Sequence, residues 1–135
     1  MKKIYLIFLF LILSGTSLFS QISKTHYIPA LTSDSGNAQI TAAYIYISTP
    51  SVDDVNFTIQ EIGGTVVVDD MIKNINPYRY DVPGSGTTQL VASKNSIGNV
   101  INNRGYIISA DCPIYVSVRY NVPNQAGAFT SKGAA

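Results

Sequence analysis

The chain has 135 residues, of which 46% are hydrophobic and 13% are charged, and its formal net charge is +1. This length fits one domain beside a short leader, and the apolar content excludes an intrinsically disordered chain. The near-neutral charge, without a basic patch, excludes the electrostatic footprint of a nucleic-acid-binding protein.

The first twenty residues have the three parts of a secretory signal peptide. Lys2 and Lys3 form a positive start, residues 4–13 form an unbroken apolar run, and small and polar residues follow up to Ser20-Gln21. An apolar run of this length is too short for a transmembrane helix, which needs about 20 residues. The pattern predicts export, cleavage after Ser20 and a mature chain of residues 21–135 without a membrane span. The alternative is an uncleaved N-terminal membrane anchor.

Beyond the leader, short β-branched and aromatic runs alternate with clusters of Gly, Pro, Asn, Asp and Ser. This pattern is typical of antiparallel strands joined by turns, with no helix between them. It predicts an all-β fold, an antiparallel β-sandwich that follows the signal-peptide helix and is incomplete at its C-terminal end. The predicted strands are 25–28, 42–48, 55–62, 65–68, 78–82, 88–92, 106–110 and 114–120, with a last strand starting near Ala126.

The segment Asn102–Asn121 is predicted to form a strand, a tight turn and a second strand. Pro113 fixes φ and lacks an N–H group, which favours a strand entry, so the sequence places a turn at Asp111-Cys112-Pro113. Cys112 is the only cysteine and cannot form an internal disulfide. No basic residue beside it would activate the thiol, so it is interpreted as a half-buried structural residue. The alternative is a thiol that pairs with another chain.

Tyrosines and one arginine form the candidate interaction face. Tyr44 and Tyr46 share one side of the predicted strand 42–48, and Tyr115 and Arg119 share the water-facing side of 114–120. Tyrosine suits a binding surface because it combines apolar area with a polar tip. It also suits cross-strand pairing on a half-exposed sheet, and this structural interpretation is favoured for Tyr44 and Tyr46.

No residue constellation for catalysis or cofactor binding occurs in the sequence. His26 is the only histidine, and we interpret it as a packed or surface residue, not a catalyst. Asp53-Asp54 and Asp69-Asp70 could bind Ca²⁺, but neither pair has the spacing of a known loop site, and both fit turn chemistry. The sequence therefore predicts no enzyme activity, no cofactor and no metal site.

Six segments, in order, resemble the start of large exported proteins of gliding and related Gram-negative bacteria. These proteins begin with a β-rich module similar to the IgGFc-binding-protein N-terminal domain. Asn103–Val116 has that family's form, in which Asn, a basic residue and Gly precede a strand with Asp and Pro at fixed spacing. The resemblance covers residues 24–133. The segments are SKTHYIPAL, AYIYISTPS, VNFTIQEIGG, NPYRYDV, the stretch 102–121 and QAGAFTSKG.

The resemblance implies a cell-surface location, a much longer parent protein and the type IX secretion system, but not antibody binding. Residues 21–135 are therefore expected to be an N-terminal portion of a larger surface protein. The first functional hypothesis is a non-catalytic, adhesion-type module that binds a glycan or a protein or serves as a scaffold. The second is an accessory domain of an exported hydrolase. The third is a structural subunit that polymerises by edge-strand association.

Overall fold

A computed structural model describes residues 22–31, 40–84, 89–96, 98–123 and 125–133. The predicted signal peptide at 1–20 and Thr88 of the predicted strand 88–92 lie outside the described residues. Within them, no helix is both long and hydrophobic enough to cross a membrane. The described residues form seven strands and one short 3-10 turn at Lys94–Ser96. The strands are β1 (Ser23–Pro29), β2 (Ala42–Ser48), β3 (Val55–Glu61), β4 (Val66–Ile72), β5 (Tyr78–Asp81), β6 (Gly105–Val122) and β7 (Gln125–Thr130).

The longest strand, β6, organises the sheet because it pairs with four others. Its first half pairs with β1 and β3, and its second half pairs with β2 and β7, all antiparallel. β4 extends the sheet beyond β3, and β5 extends it beyond β2. The strand order is therefore β4-β3-β6-β2-β5, with β1 and β7 added along β6.

The sheet curls so that its two halves share one core. β3 and β5 are separated by two strands in the sheet, yet the Phe57 and Tyr78 rings are 5.0 Å apart. The Tyr80 ring on β5 likewise lies 5.8 Å from Tyr106 on β6. Buried side chains of both halves form one hydrophobic cluster, and each large one contributes roughly 1.5–3 kcal/mol. The predicted all-β antiparallel fold is confirmed.

The turn predicted at Asp111-Cys112-Pro113 is wrong, because β6 runs through these residues without reversing. Thr25 of β1 lies opposite Ser109, but Ser23 lies opposite Ile114. Between these two pairs, β6 advances by five residues while β1 advances by only two. The three extra residues of β6, residues 111–113, therefore form a bulge. A bulge tolerates a proline because its extra residues leave the hydrogen-bonded ladder. The sequence Asp-Cys-Pro is compatible with a bulge as well as with a turn, so these residues alone do not distinguish the two.

Cys112 is exposed on this bulge, so its predicted half-burial is also wrong. We expect Cys112→Ser to change the free energy of unfolding by less than about 1 kcal/mol, because the side chain is exposed. Thermal melts of the two proteins under reducing conditions would measure the difference. A large loss of stability would contradict the placement, and a covalent dimer on non-reducing gels that disappears in the variant would reveal a thiol used between chains.

Two further segments differ from the sequence prediction. Asp69 and Asp70 were placed in a turn, but they lie on β4, which continues to Ile72. Both are exposed, and charged side chains on an edge strand are tolerated because they discourage pairing with other chains. The strand predicted at 88–92 is reduced, among its described residues, to one parallel bridge between Val91 and Leu31.

Candidate interaction face

β2 presents Tyr44 and Tyr46 on the outer side of the sheet. Side chains alternate between the two sides of a strand. Ala43, Ile45 and Ile47 are buried in the core, so the two tyrosines point away from it, and both are half-buried. The predicted sharing of one side by these tyrosines is thus present in the fold.

β6 presents Tyr115 and Arg119 on the same outer side, because the alternate residues of this half-strand are buried. Tyr44 lies directly opposite Arg119, and Ser48 lies opposite Tyr115 in the β2–β6 register. The four residues predicted as a candidate face therefore lie together on adjacent strands. Their position says where a partner could bind, and a cross-strand structural role remains compatible with it.

The neighbouring strand β5 adds two charged residues that the sequence analysis missed. Arg79 lies opposite Tyr46, and Asp81 lies opposite Tyr44. The alternation of aromatic and charged residues at 78–81 indicates a strand with one wet side, but nothing local indicates that β2 is its partner. We call the outer side chains of Tyr44, Tyr46, Arg79, Tyr115 and Arg119 the Tyr–Arg face.

Both arginines of the Tyr–Arg face lie over tyrosine rings. The guanidinium carbon of Arg79 is 5.4 Å from the centroid of the Tyr44 ring, and that of Arg119 is 5.3 Å from the Tyr46 ring. The two rings lie 6.4 Å apart. An exposed cation–π contact contributes about 0.5–1 kcal/mol. Its main effect here is to hold two long side chains in defined positions on the sheet.

The two arginines differ in how their charge is compensated. Arg79 pairs with Asp81 through two contacts, Nε to Oδ1 at 2.8 Å and Nη2 to Oδ2 at 3.1 Å, and the nearby carboxylate raises the pKa of Arg79. In the described part of the chain, no carboxylate forms an ion pair with Arg119, which is exposed. Arg119 therefore keeps unused N–H donors directed at solvent.

The outer side of this half of the sheet carries no aliphatic side chain larger than alanine at its described positions. β7 contributes Ala126, Ala128 and Thr130 beside β6. The large exposed hydrophobic residues lie elsewhere, apart from Tyr115: Tyr27, Val52, Val66, Val67, Met71, Ile75 and Val100. The Tyr–Arg face is therefore aromatic and polar.

His26 has a structural position and lies inside the fold. Its side chain is fully buried, and its Nε2–H group donates to the carbonyl oxygens of Ile114 at 2.9 Å and Ser23 at 3.2 Å. These are the residues that face each other where the β1–β6 register shifts. The imidazole thus satisfies backbone groups that the bulge removes from the regular ladder.

The acidic pairs considered for Ca²⁺ are not gathered into a common site. Asp54 forms an ion pair with Lys73 at 3.2 Å, and Asp69 and Asp70 lie exposed on β4. No cluster of three or more potential metal-ligating side chains occurs among the residues that the structure describes.

A small cluster of polar side chains lies at one end of the curled sheet. The Gln89 side chain donates to Glu61 at 3.4 Å, and the fully buried Tyr106 side chain lies against the ring of Tyr80. Burial raises the pKa of Tyr106 and, to a smaller extent, that of Tyr80. Both phenols stay un-ionised at neutral pH, so neither can act as a general base there.

No family model, no curated protein and no solved structure matches this chain. Function must therefore be argued from the geometry of the Tyr–Arg face.

Proposed function

We propose that this chain is a non-catalytic module of an exported cell-surface protein and that its Tyr–Arg face binds a partner outside the cell. The observation that carries the proposal is the convergence of three tyrosines and two arginines on one outer side of β5, β2 and β6. Tyrosine and arginine are among the residues enriched where binding energy is concentrated.

The arrangement favours binding because its side chains are already positioned. Each arginine rests on a tyrosine ring, so less rotational freedom is lost when a ligand arrives. The rings in turn stand on a strand whose other side is buried in the core. A rigid support of this kind lowers the cost of association without adding any contact.

The sequence supports the cellular location. The N-terminal pattern of a signal peptide favours export, and the resemblance to the IgGFc-binding-protein N-terminal domain favours the surface of a Gram-negative bacterium that uses the type IX secretion system. An accessory role beside a hydrolase domain is a second proposal that shares this location and this face.

A polymerising subunit is the weaker proposal, and β4 is the strand that would support it. β4 pairs only with β3 among the described residues, and it exposes Val66, Val67 and Met71. Pairing of two antiparallel β4 strands from different copies would bring Asp69 and Asp70 of each copy close together. Like charges in opposite positions are destabilising, so self-association at this edge is disfavoured.

We expect the double variant Tyr44→Thr/Tyr46→Thr to bind cells of the source organism at least tenfold more weakly than the parent chain. Threonine keeps the preference for a strand while removing both rings and the support of both arginines. The measurement is a titration of the fluorescently labelled mature chain onto whole cells.

Tyr27→Thr is the matched control, because Tyr27 is 54% exposed on β1 and lies outside the Tyr–Arg face. Melting curves would establish that both variants are folded. Unchanged binding by the double variant, or an equal loss in the control, would overturn the proposed face.

A further inference from the structure

We infer that the partner of the Tyr–Arg face is an acidic oligosaccharide whose anionic group is bound by Arg119. This inference rests on the proposed function, since it names the ligand class of the same face.

The first argument is charge. Asp81 is occupied by Arg79 through two contacts, whereas Arg119 has no ion-pair partner in the described ranges. Arg119 is exposed, and the ring of Tyr46 holds it at 5.3 Å. A guanidinium group presents its N–H donors in a planar fork that matches the two oxygens of a carboxylate or the oxygens of a sulfate. The face therefore offers one oriented, uncompensated cation to an anionic group.

The second argument is the shape and composition of the surface around that cation. Tyrosine and arginine are also enriched in protein–protein interfaces, but the fully buried core of such an interface is predominantly apolar. The outer side of this half-sheet offers no aliphatic side chain larger than alanine at the described positions, so its apolar area is limited to the tyrosine rings. Sugars need a different surface, with an aromatic ring for the C–H side of a pyranose and hydroxyl or charged groups for its oxygens. Tyr115 and Ser117 on β6 supply both beside Arg119.

The third argument is spacing. Tyr115 and Arg119 are four residues apart on one side of β6, which places them roughly 13 Å apart along the strand. Tyr115 is 38% exposed, and no arginine covers its ring in the described contacts. One sugar can stack on the open ring while the anionic group of another reaches Arg119. A single monosaccharide cannot satisfy both, so the ligand is an oligosaccharide that runs along β6.

The test compares four immobilised polymers as probes for the mature chain: polygalacturonate with carboxylates, heparin with sulfates, neutral dextran and the acidic peptide poly-glutamate. We expect binding to one or both anionic glycans and none to dextran. Arg119→Gln should weaken that binding at least tenfold, and Tyr115→Ala should weaken it severalfold. Raising the salt concentration should weaken the binding of the parent chain to the anionic glycan, because exposed charges are screened.

Lys24→Gln is the matched control, because it removes the same charge from an exposed position on β1, and it should leave binding unchanged. Preference for polygalacturonate or for heparin would tell which anionic group is recognised. Tight binding of poly-glutamate that is insensitive to Tyr115→Ala would overturn the glycan class in favour of an acidic peptide.

The failure of this inference can be told apart from the failure of the proposed function. If the parent chain and Arg119→Gln bind dextran equally well, the ligand is not acidic, although the face still binds a glycan. Binding to none of the probes, with cell binding still dependent on Tyr44 and Tyr46, would also overturn the acidic oligosaccharide and retain the face. Loss of that dependence on cells would overturn the proposed function itself.

Discussion

Gly105→Ala is expected to lower the free energy of unfolding by about 3 kcal/mol or more, through backbone strain and a steric clash. Gly105 has a φ of +110°, in a region that L side chains rarely adopt. A Cβ atom there would collide with the carbonyl oxygen of Ile28 on β1. The backbone cannot shift freely, because Gly105 N–H donates to Gln89 O at 2.7 Å and Gly105 O accepts from Ile62 N–H at 3.0 Å. Urea unfolding of both proteins would measure the loss.

Gly98→Ala separates the two causes. Gly98 also has a positive φ, +83°, but a Cβ atom there would meet no other atom within 4 Å. Gly98→Ala should lower the free energy of unfolding by only about 1 kcal/mol, which is the cost of a positive φ for a residue other than glycine. Equal losses in the two variants would show that the contact between β6 and β1 at Gly105 is looser than the structure has it.

His26→Ala should also lower the free energy of unfolding by about 3 kcal/mol. The variant removes the donor that now bonds the carbonyl oxygens of Ile114 and Ser23, and the loss of a buried hydrogen bond such as that to Ile114 costs about 1–3 kcal/mol. It also creates a cavity where a fully buried imidazole stood. Equilibrium unfolding in urea provides the measurement.

His26→Phe fills most of the space without restoring a donor, so it isolates the hydrogen-bond contribution from the cavity. We expect it to remain destabilised, by about 1–2 kcal/mol. Lys24→Ala, an exposed change on the same strand, should be neutral within about 0.5 kcal/mol. Wild-type stability of His26→Phe would show that the two contacts across the bulge contribute little.

Strand identity was largely predictable because alternation is a local signal. Residues 42–48 were predicted as a strand with Tyr44 and Tyr46 on one side, and β2 has these bounds and that orientation. The outward position of Tyr115 and Arg119 followed from the same alternation on β6. A period of two residues can be read from each segment without knowing its neighbours.

Pairing was not predictable, since it depends on residues far apart in the sequence. The contacts of Arg79 with Tyr44 and of Arg119 with Tyr46 are diagonal, and they exist only in one register of β5, β2 and β6. The bulge at residues 111–113 has the same cause. Asp-Cys-Pro can end a strand or interrupt one. Here it interrupts a strand because β1 pairs on both sides of it and His26, 88 residues before Ile114, bonds to the Ile114 carbonyl oxygen.

The late position of β6 in the chain has a consequence for how the protein is made. β1, β2 and β3 find their shared partner only in residues 105–122. Until that segment is synthesised, β1 has no strand partner among the described residues, and β2 and β3 can pair only with β5 and β4. Closing contacts across such long sequence separations is slow. We expect folding to wait for this segment and then to proceed in one cooperative step. For the exported chain that we propose, such a delay would keep most of the polypeptide unfolded until it has crossed the membrane.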